Sequence, residues 1–479
     1  MARGLMRSIA AGLLAAAPAM AEDAAPAFTN LRYDENWATY DPAAGGTWMA
    51  PIKHIDLSDS VWLSLGGDLR LRWEYFDGAN FDNANEDSYL LYRTYLHADL
   101  HLGPHWRVFL QGRFSEVDKR ELPGGNREAL DYDRVDLWNT FIEASYPVGD
   151  LRLTARLGRL ELQYGKQRLI SPLDWVNNRR IFDGVQTQLA AADGRWKLDA
   201  FVTQPVVIDG DSLTWNDTDD DRVFAGLYYT VKLGEAGKHG LDAYLLYQQR
   251  DALALVREDL YTLGARAFGP VYGNLSYDVE AAWQFGEREV SGRFFDNTLD
   301  INAWFASAEF KYTFAEAWGK PYLALGLDYA SGDGDPTDDD VETFNQLYPL
   351  GHAYFGYIDT VALQNVKAVK LGSGIALVPN KLTAAADYHW LWRAHEGDGL
   401  YNAGGAPVRG AQFVTPGGRT VTAQESELGQ ELDLTLNYTP NRHLAFALGY
   451  SRFWAGDFLQ ETGVADDTDF VYLQAEVTF

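Results

Sequence analysis

The chain has no cysteine among its 479 residues. Disulfides, thiolate nucleophiles and Cys-type metal sites are excluded, and a chain that crosses the periplasm unfolded cannot trap itself in wrong bridges. Beyond residues 1–21 there is no uncharged apolar run of about 18 residues. That excludes a transmembrane helix and leaves strands as the only way across a bilayer. Positive charge is also short: 40 Lys and Arg stand against 68 Asp and Glu, a formal net charge of −28. Such acidity argues against nucleic acid as a partner, since nucleic acid requires a basic footprint.

Recognisable catalytic arrangements are missing too. No Gly-x-Ser-x-Gly elbow, phosphate-binding glycine loop or HExxH sequence occurs. His97 and His101 have a spacing that would chelate a metal on a helix, but on a strand four residues span roughly 13 Å, too far to share one zinc. Carboxylate pairs such as Asp278 and Glu280 in a water-filled lumen screen charge better than they catalyse. No enzymatic activity and no cofactor are expected. The acidic stretches 219–221, 333–340 and 466–467 read as solvated loop faces, or as sites where Ca2+ could bind beside anionic lipopolysaccharide.

What is present begins with a leader. Arg3 and Arg7 precede the apolar run Ile9 to Ala17, and Ala19, Met20 and Ala21 fit a small-residue cleavage site. Residues 1–21 are read as a signal peptide, 22–60 as a periplasmic entrance segment and 61–479 as the membrane domain. In that last part, short alternating segments are joined by connections that alternate long and short. The short ones fall at 102–105, 147–150, 192–195, 234–240, 269–274, 315–321, 378–381 and 439–443, rich in Gly, Pro, Asn and Asp. The long ones fall at 77–87, 117–134, 163–180, 205–221, 251–259, 287–299, 331–363, 394–430 and 457–468. The pattern predicts an all-β fold: an 18-stranded antiparallel transmembrane β-barrel in the bacterial outer membrane, with long extracellular loops and short periplasmic turns.

The first strand sets the faces. Val61, Leu63, Leu65, Leu69, Leu71 and Trp73 suit lipid, whereas Ser64, Asp68, Arg70, Arg72 and Glu74 suit water. The last strand repeats the pattern up to the terminal Phe479. The same parity turns Arg93, Arg113, Arg152 and Arg156 inward with Arg70 and Arg72, and Arg159, which breaks step after Gly158, predicts a bulge there or a position near the interface. Later strands carry Asp242, Asp278, Glu280, Asp387, Glu431 and Asp433 inward, so that part of the lumen is mixed to acidic. Arginine outnumbers lysine, and a ladder of rigid, partly paired guanidiniums can attract a polyanion and still release it.

Two segments resemble a known family. GRLELQYGKQRLISPLDWVNNRRIFDGV at 158–185, with Pro172, Trp175, Arg179, Arg180 and Phe182, closely resembles the signature segment of the bacterial alginate export porins. TFNQLYPLGHAYFGY at 343–357 is similar to a second segment of that family, and residues 31–37, 64–74 and 431–479 also look like it. The resemblance implies a monomeric eighteen-stranded barrel that passes the anionic polysaccharide alginate outward through a positively charged constriction. Arg168, Arg179 and Arg180, in the loop after the fifth strand, are expected at or near that constriction. Lipid, lipopolysaccharide, an anionic polysaccharide and a periplasmic secretion assembly are the expected partners. The alternative is an uptake porin for small charged or sugar-like nutrients; a third reading is a receptor or adhesin acting through its loops.

Overall fold

The computed structural model describes residues 25–41, 48–123, 125, 127–210, 215–234, 237–252, 256–292, 295–415 and 418–479; the predicted signal peptide lies outside them. Eighteen strands form the wall: β1 (Val61–Asp77), β2 (Asp87–Leu102), β3 (Trp106–Asp118), β4 (Asp133–Val148), β5 (Leu151–Leu160) and β6 (Phe182–Ala191). They continue as β7 (Trp196–Pro205), β8 (Arg222–Leu233), β9 (His239–Ala252), β10 (Val256–Tyr272), β11 (Leu275–Gly292) and β12 (Phe295–Thr313). The last six are β13 (Tyr322–Ala330), β14 (Val366–Val378), β15 (Leu382–Arg393), β16 (Glu427–Asn441), β17 (Leu444–Ala455) and β18 (Thr468–Thr478). Each pairs antiparallel with its neighbours in sequence, and β18 returns to β1, from Asp68 opposite Thr478 to Asp77 opposite Asp469. Closure leaves no unpaired edge, which a strand in hydrocarbon cannot tolerate.

Alternation explains the outer surface. Leu157 is 63% exposed and Val202 61%, with Leu96, Ile142, Leu263 and Leu473 similarly bare; apolar exposure of this kind around a closed barrel is a lipid face. Trp106, Tyr272, Phe314, Trp318 and Tyr438 form exposed rings beside the short turns, the usual place for an interfacial aromatic girdle. The turns are tight where glycine permits it: Gly149 takes φ +61° between β4 and β5, a conformation that suits a two-residue hairpin. No described helix is long and apolar enough to cross a membrane.

Three details differ from the sequence reading. Within the stretches 251–259 and 287–299, residues 251–252, 256–259, 287–292 and 295–299 are strand rather than loop: β11 and β12 run for 18 and 19 residues and pair as far as Gly292 and Phe295. A membrane needs only about 9–11 residues of tilted strand, so the remainder stands in water with polar residues on both faces, which reads as loop in a sequence. The bulge expected at Gly158 is absent there; pairing through Gly158 is continuous on both sides. Gly158 instead adopts φ +138°, where a Cβ would lie 2.3 Å from the Thr140 carbonyl oxygen. In this part of the wall the register shifts fall between β3 and β4, one of them at Trp138 and Asn139, both buried. Finally, the inner face is not simply polar. Phe109, Phe141, Phe201, Phe224, Phe305 and Phe453 point into one buried apolar cluster inside the barrel, because chain segments fold in to meet them.

Candidate functional site

Among the described residues, the segments that enter the lumen include residues 25–41 and 48–60 at the periplasmic end and the loops 161–181 and 331–365 from the other end. The loop 161–181 is a strap between two walls of opposite charge. On the side of β1 and β2, Arg70 donates to the carbonyls of Asp174 (2.8 Å) and Val176 (2.7 Å), and Arg72 donates to the carbonyl of Trp175 (2.6 Å). Arg93 pairs with the Asp174 carboxylate at 3.0 Å, and the Arg72 guanidinium lies 4.1 Å from the centre of the Trp175 ring. Desolvation opposes ionisation of Asp174, but the guanidiniums of Arg93, Arg179 and Arg70 outweigh it and hold its carboxyl well below the usual range.

On the far side the charges reverse. Arg168 of the strap pairs with Asp328 of β13 at 2.8 Å and reaches Glu280 of β11 at 3.7 Å. Lys166 pairs with Glu309 of β12 at 2.9 Å. Arg266 of β10 neutralises Asp242 and Asp278 at 2.9 and 2.6 Å. The strap thus offers carbonyl oxygens and one carboxylate to the basic wall, and cations to the acidic wall.

Loop 331–365 lies against the strap. Ser171 N–H donates to the Tyr348 carbonyl (2.8 Å) and Leu350 N–H to the Gln167 carbonyl (2.9 Å), while the Tyr354 hydroxyl donates to the Lys166 carbonyl. Trp175 stacks on His352 at 3.8 Å and meets Tyr357 and Tyr472 edge-on. The loop is tied to the opposite wall where Ile358 N–H donates to Glu431 (2.9 Å); beside it Asp433 accepts from Ser451 (2.5 Å) and faces His389 (3.2 Å).

Residues 25–41 and 48–60 fill the periplasmic end. Arg32 donates to the carbonyls of Gly67 and Phe479 (3.0 and 2.8 Å), and the Tyr33 hydroxyl donates to the Glu161 carbonyl at the foot of the strap (2.8 Å). Residues 55–58 add a short strand to β1. Lys53 is buried; desolvation, only partly offset by Glu35, pulls its ammonium down to about 8.

The sequence-predicted arginines therefore separate into two groups. Arg70, Arg72, Arg93, Arg113, Arg168 and Arg179 are all buried inside the barrel, and each is engaged by protein. Arg113 pairs with Asp133 and lies over the Trp138 ring at 3.6 Å, and Arg179 binds Glu161 and Asp174 at 2.7 and 2.9 Å. The others are less consumed. Arg152, exposed at the periplasmic rim, meets the Ser145 hydroxyl (3.3 Å) and, among the described residues, no carboxylate. Arg156 is half-buried between Glu143 and the Tyr33 ring. Arg180 donates to carbonyls of Ser171 and Pro349 and, among the described residues, meets no carboxylate. Sequence reasoning missed Arg222 and Arg288 near the extracellular end, where polarity on both strand faces hid the parity. It also missed the lumenal aromatics, whose only signal was large apolar residues at positions sharing parity with polar ones.

The acidic loops satisfy themselves locally. Asp333 accepts the Asp335 amide, Asp335 accepts Thr337, and Asp338 accepts the Asp340 amide. Among the described residues no group of three or more His, Asp and Glu side chains is arranged to hold a metal ion.

The alginate export family model matches residues 61–472. The chain belongs to the alginate export family. No curated protein matches it. Solved structures of similar fold include Pseudomonas aeruginosa OpdK with vanillate, at 13% identity and a TM-score of 0.54, covering 87% of this chain and 98% of that one. Acinetobacter baumannii OccAB2 is similar at 13% identity and a TM-score of 0.55, with coverage of 87% and 98%. A BenF-like porin from Pseudomonas fluorescens Pf-5 also has 13% identity, with a TM-score of 0.52 and coverage of 87% and 99%. The family, the closed barrel and its lipid face make this protein a channel-type barrel of the bacterial outer membrane.

Proposed function

We propose that this member of the alginate export family conducts an anionic polysaccharide such as alginate outward through its lumen, without a covalent step. One observation carries the reading: arginines outside the basic wall's clamp on the strap recur along the whole path. Arg152 and Arg156 stand at the periplasmic end, Arg180 inside, and Arg222, Arg250 and Arg288 at the extracellular end. A string of separate weak sites moves an ion better than one strong site, since each must release what it captures. The clamped arginines serve differently. Arg70, Arg72 and Arg93 fix the strap that narrows the lumen, and their field adds to that of the others. Residues 25–41 and 48–60 cover the periplasmic end and must yield before a polymer enters, which suits coupling to a periplasmic assembly.

The rival reading, uptake of small anionic nutrients, gains from the packing. A lumen crossed by a strap and filled with aromatics suits a small solute, and OpdK of the same fold was solved with vanillate, a small carboxylate. Flux of fluorescent uronate oligomers of increasing length into liposomes containing the protein decides between them. Passage that persists beyond about ten sugar units supports polymer export; a sharp cut-off at one or two units supports uptake.

A further inference from the structure

At the extracellular end, four neighbouring strands place Arg222, Arg250, Glu258 and Arg288 in one lateral row. Arg222 is directly opposite Arg250, Arg250 opposite Glu258, and Glu258 opposite Arg288. Like charges directly opposite one another destabilise a sheet, and here three guanidiniums share one glutamate. Glu258 is committed to Arg288 at 2.6 Å, and Arg222 leans on Asp219 at 3.3 Å. Arg250 is exposed and, among the described residues, has no ion-pair partner. The barrel gains nothing structural from this crowding, in contrast to the arginines that clamp the strap.

The row forms one side of a cavity of about 480 Å³, within the usual size of small-ligand sites. Loop residues form the other side, including Asn345, Tyr348, Gln364 and Tyr401, with Gln248 of β9 below. Two loop carboxylates also line the cavity: Asp398 accepts from Thr343 (2.6 Å), Tyr401 (2.7 Å) and the Asp333 amide (3.1 Å), and Asp333 accepts the Asp335 amide (3.1 Å), so both are engaged by their own loops. The cavity thus pairs forked cations with side-chain amides and tyrosine faces. Guanidiniums match a carboxylate bidentately, amides match hydroxyls in either sense, and aromatic faces cover a ring. We infer that this cavity is a binding site for a carboxylated sugar unit at the extracellular mouth, with Arg222 and Arg250 as its carboxylate anchors. The inference rests on the reading of the lumen as a path for an acidic polysaccharide, and it adds a last station where the emerging chain is held before release.

The test uses the full-length protein in detergent micelles and in bilayers, with a uronate tetrasaccharide and neutral cellotetraose as probes. Calorimetry should show binding of the uronate, weakened about tenfold by the double change Arg222→Gln with Arg250→Gln and retained in Arg250→Lys, with no comparable binding of cellotetraose. In oriented bilayers, uronate added on the loop side should block current in the native protein and not in the double variant, whereas block from the periplasmic side should persist. An unchanged gel mobility shift on heating establishes that the variants are folded barrels. Equal uronate affinity in native and double variant, or equal binding of cellotetraose, overturns the site. Long oligomers failing to cross liposomes while the Arg222- and Arg250-dependent binding persists would sink the export reading and leave the site standing.

Discussion

The wall built by β1 to β3 and the wall built by β9 to β13 hold the same strap by opposite means. On the first, Arg70 ends on two carbonyl oxygens and, among the described residues, forms no salt bridge, so its charge is hydrogen-bonded rather than paired. On the second, Asp328, Glu309 and Asp278 each meet a cation. The basic wall therefore keeps part of its field, while the acidic wall is cancelled locally. An acidic lumenal half need not make a pore cation-selective when the loop crossing it carries the matching charges.

The largest effect should come from the basic wall. Arg70→Ala with Arg93→Ala removes the anchors of Asp174 and Val176, and is expected to cost about 2–3 kcal/mol and to free the strap. Single-channel conductance should rise several-fold, with a lower thermal midpoint. Asp328→Asn on the acidic wall leaves Arg168 with Glu280 and Tyr354, so conductance should change less. A larger opening from Asp328→Asn than from the arginine pair would reverse the comparison.

Next is selectivity. Arg152→Glu with Arg156→Glu should shift the reversal potential toward cations and weaken block by polyuronate, both effects fading at high salt, because only charges within about 8 Å of the path act at physiological ionic strength. A native pore that is already cation-selective and unblocked by oligouronate would show that the basic wall's field does not reach the path, and would favour the nutrient reading.

A third test concerns the periplasmic segment. A lysine whose proton affinity falls on docking, to about 8 from an ordinary value of 10.5, penalises docking below pH 8, and the penalty is lost as pH rises from 8 toward 10.5. Lys53→Met should remove roughly 3 kcal/mol of that burden at neutral pH and lower the open probability. The native channel should open less at pH 10 than at pH 7, and the variant should lose that dependence between the two values. A variant that opens more often would show that Lys53 stabilises the docked segment.

The smallest effect belongs to the outer loops. Burial, with Asp398, Asp338 and Glu342 adding to it, pushes the Asp333 carboxyl up to about 6. Its contribution to loop docking is complete below the ordinary value of 3.8 and is lost as pH rises through 6. Limited proteolysis of the segment 331–341 should be slower at pH 4 than at pH 7, and Asp333→Asn should flatten the difference.

Much of this molecule was legible residue by residue. The period of two from Val61 to Tyr75 gave away which side of β1 meets lipid, and Gly149 with Asp150 marked a turn. The paired glutamates and arginines above the membrane misled, because a strand with water on both sides loses its alternation. Gly158 was rightly singled out as irregular, but the register shift fell on β4, where Trp138 and Asn139 had no local signal. For the site, parity identified inward arginines without distinguishing Arg70, locked to a loop, from Arg152, open to solvent.

That division has a physical basis. Strand direction, turn positions, lipid face and family were determined by the sequence itself, because alternation and turn chemistry are set by residues within a few positions of each other. Whether an inward guanidinium faces water or a carbonyl was decided only by the tertiary structure. Arg70 finds Asp174 across 104 residues of chain, and Trp175 finds His352 from a different loop altogether. Those contacts depend on how two loops share one lumen, which no local pattern encodes.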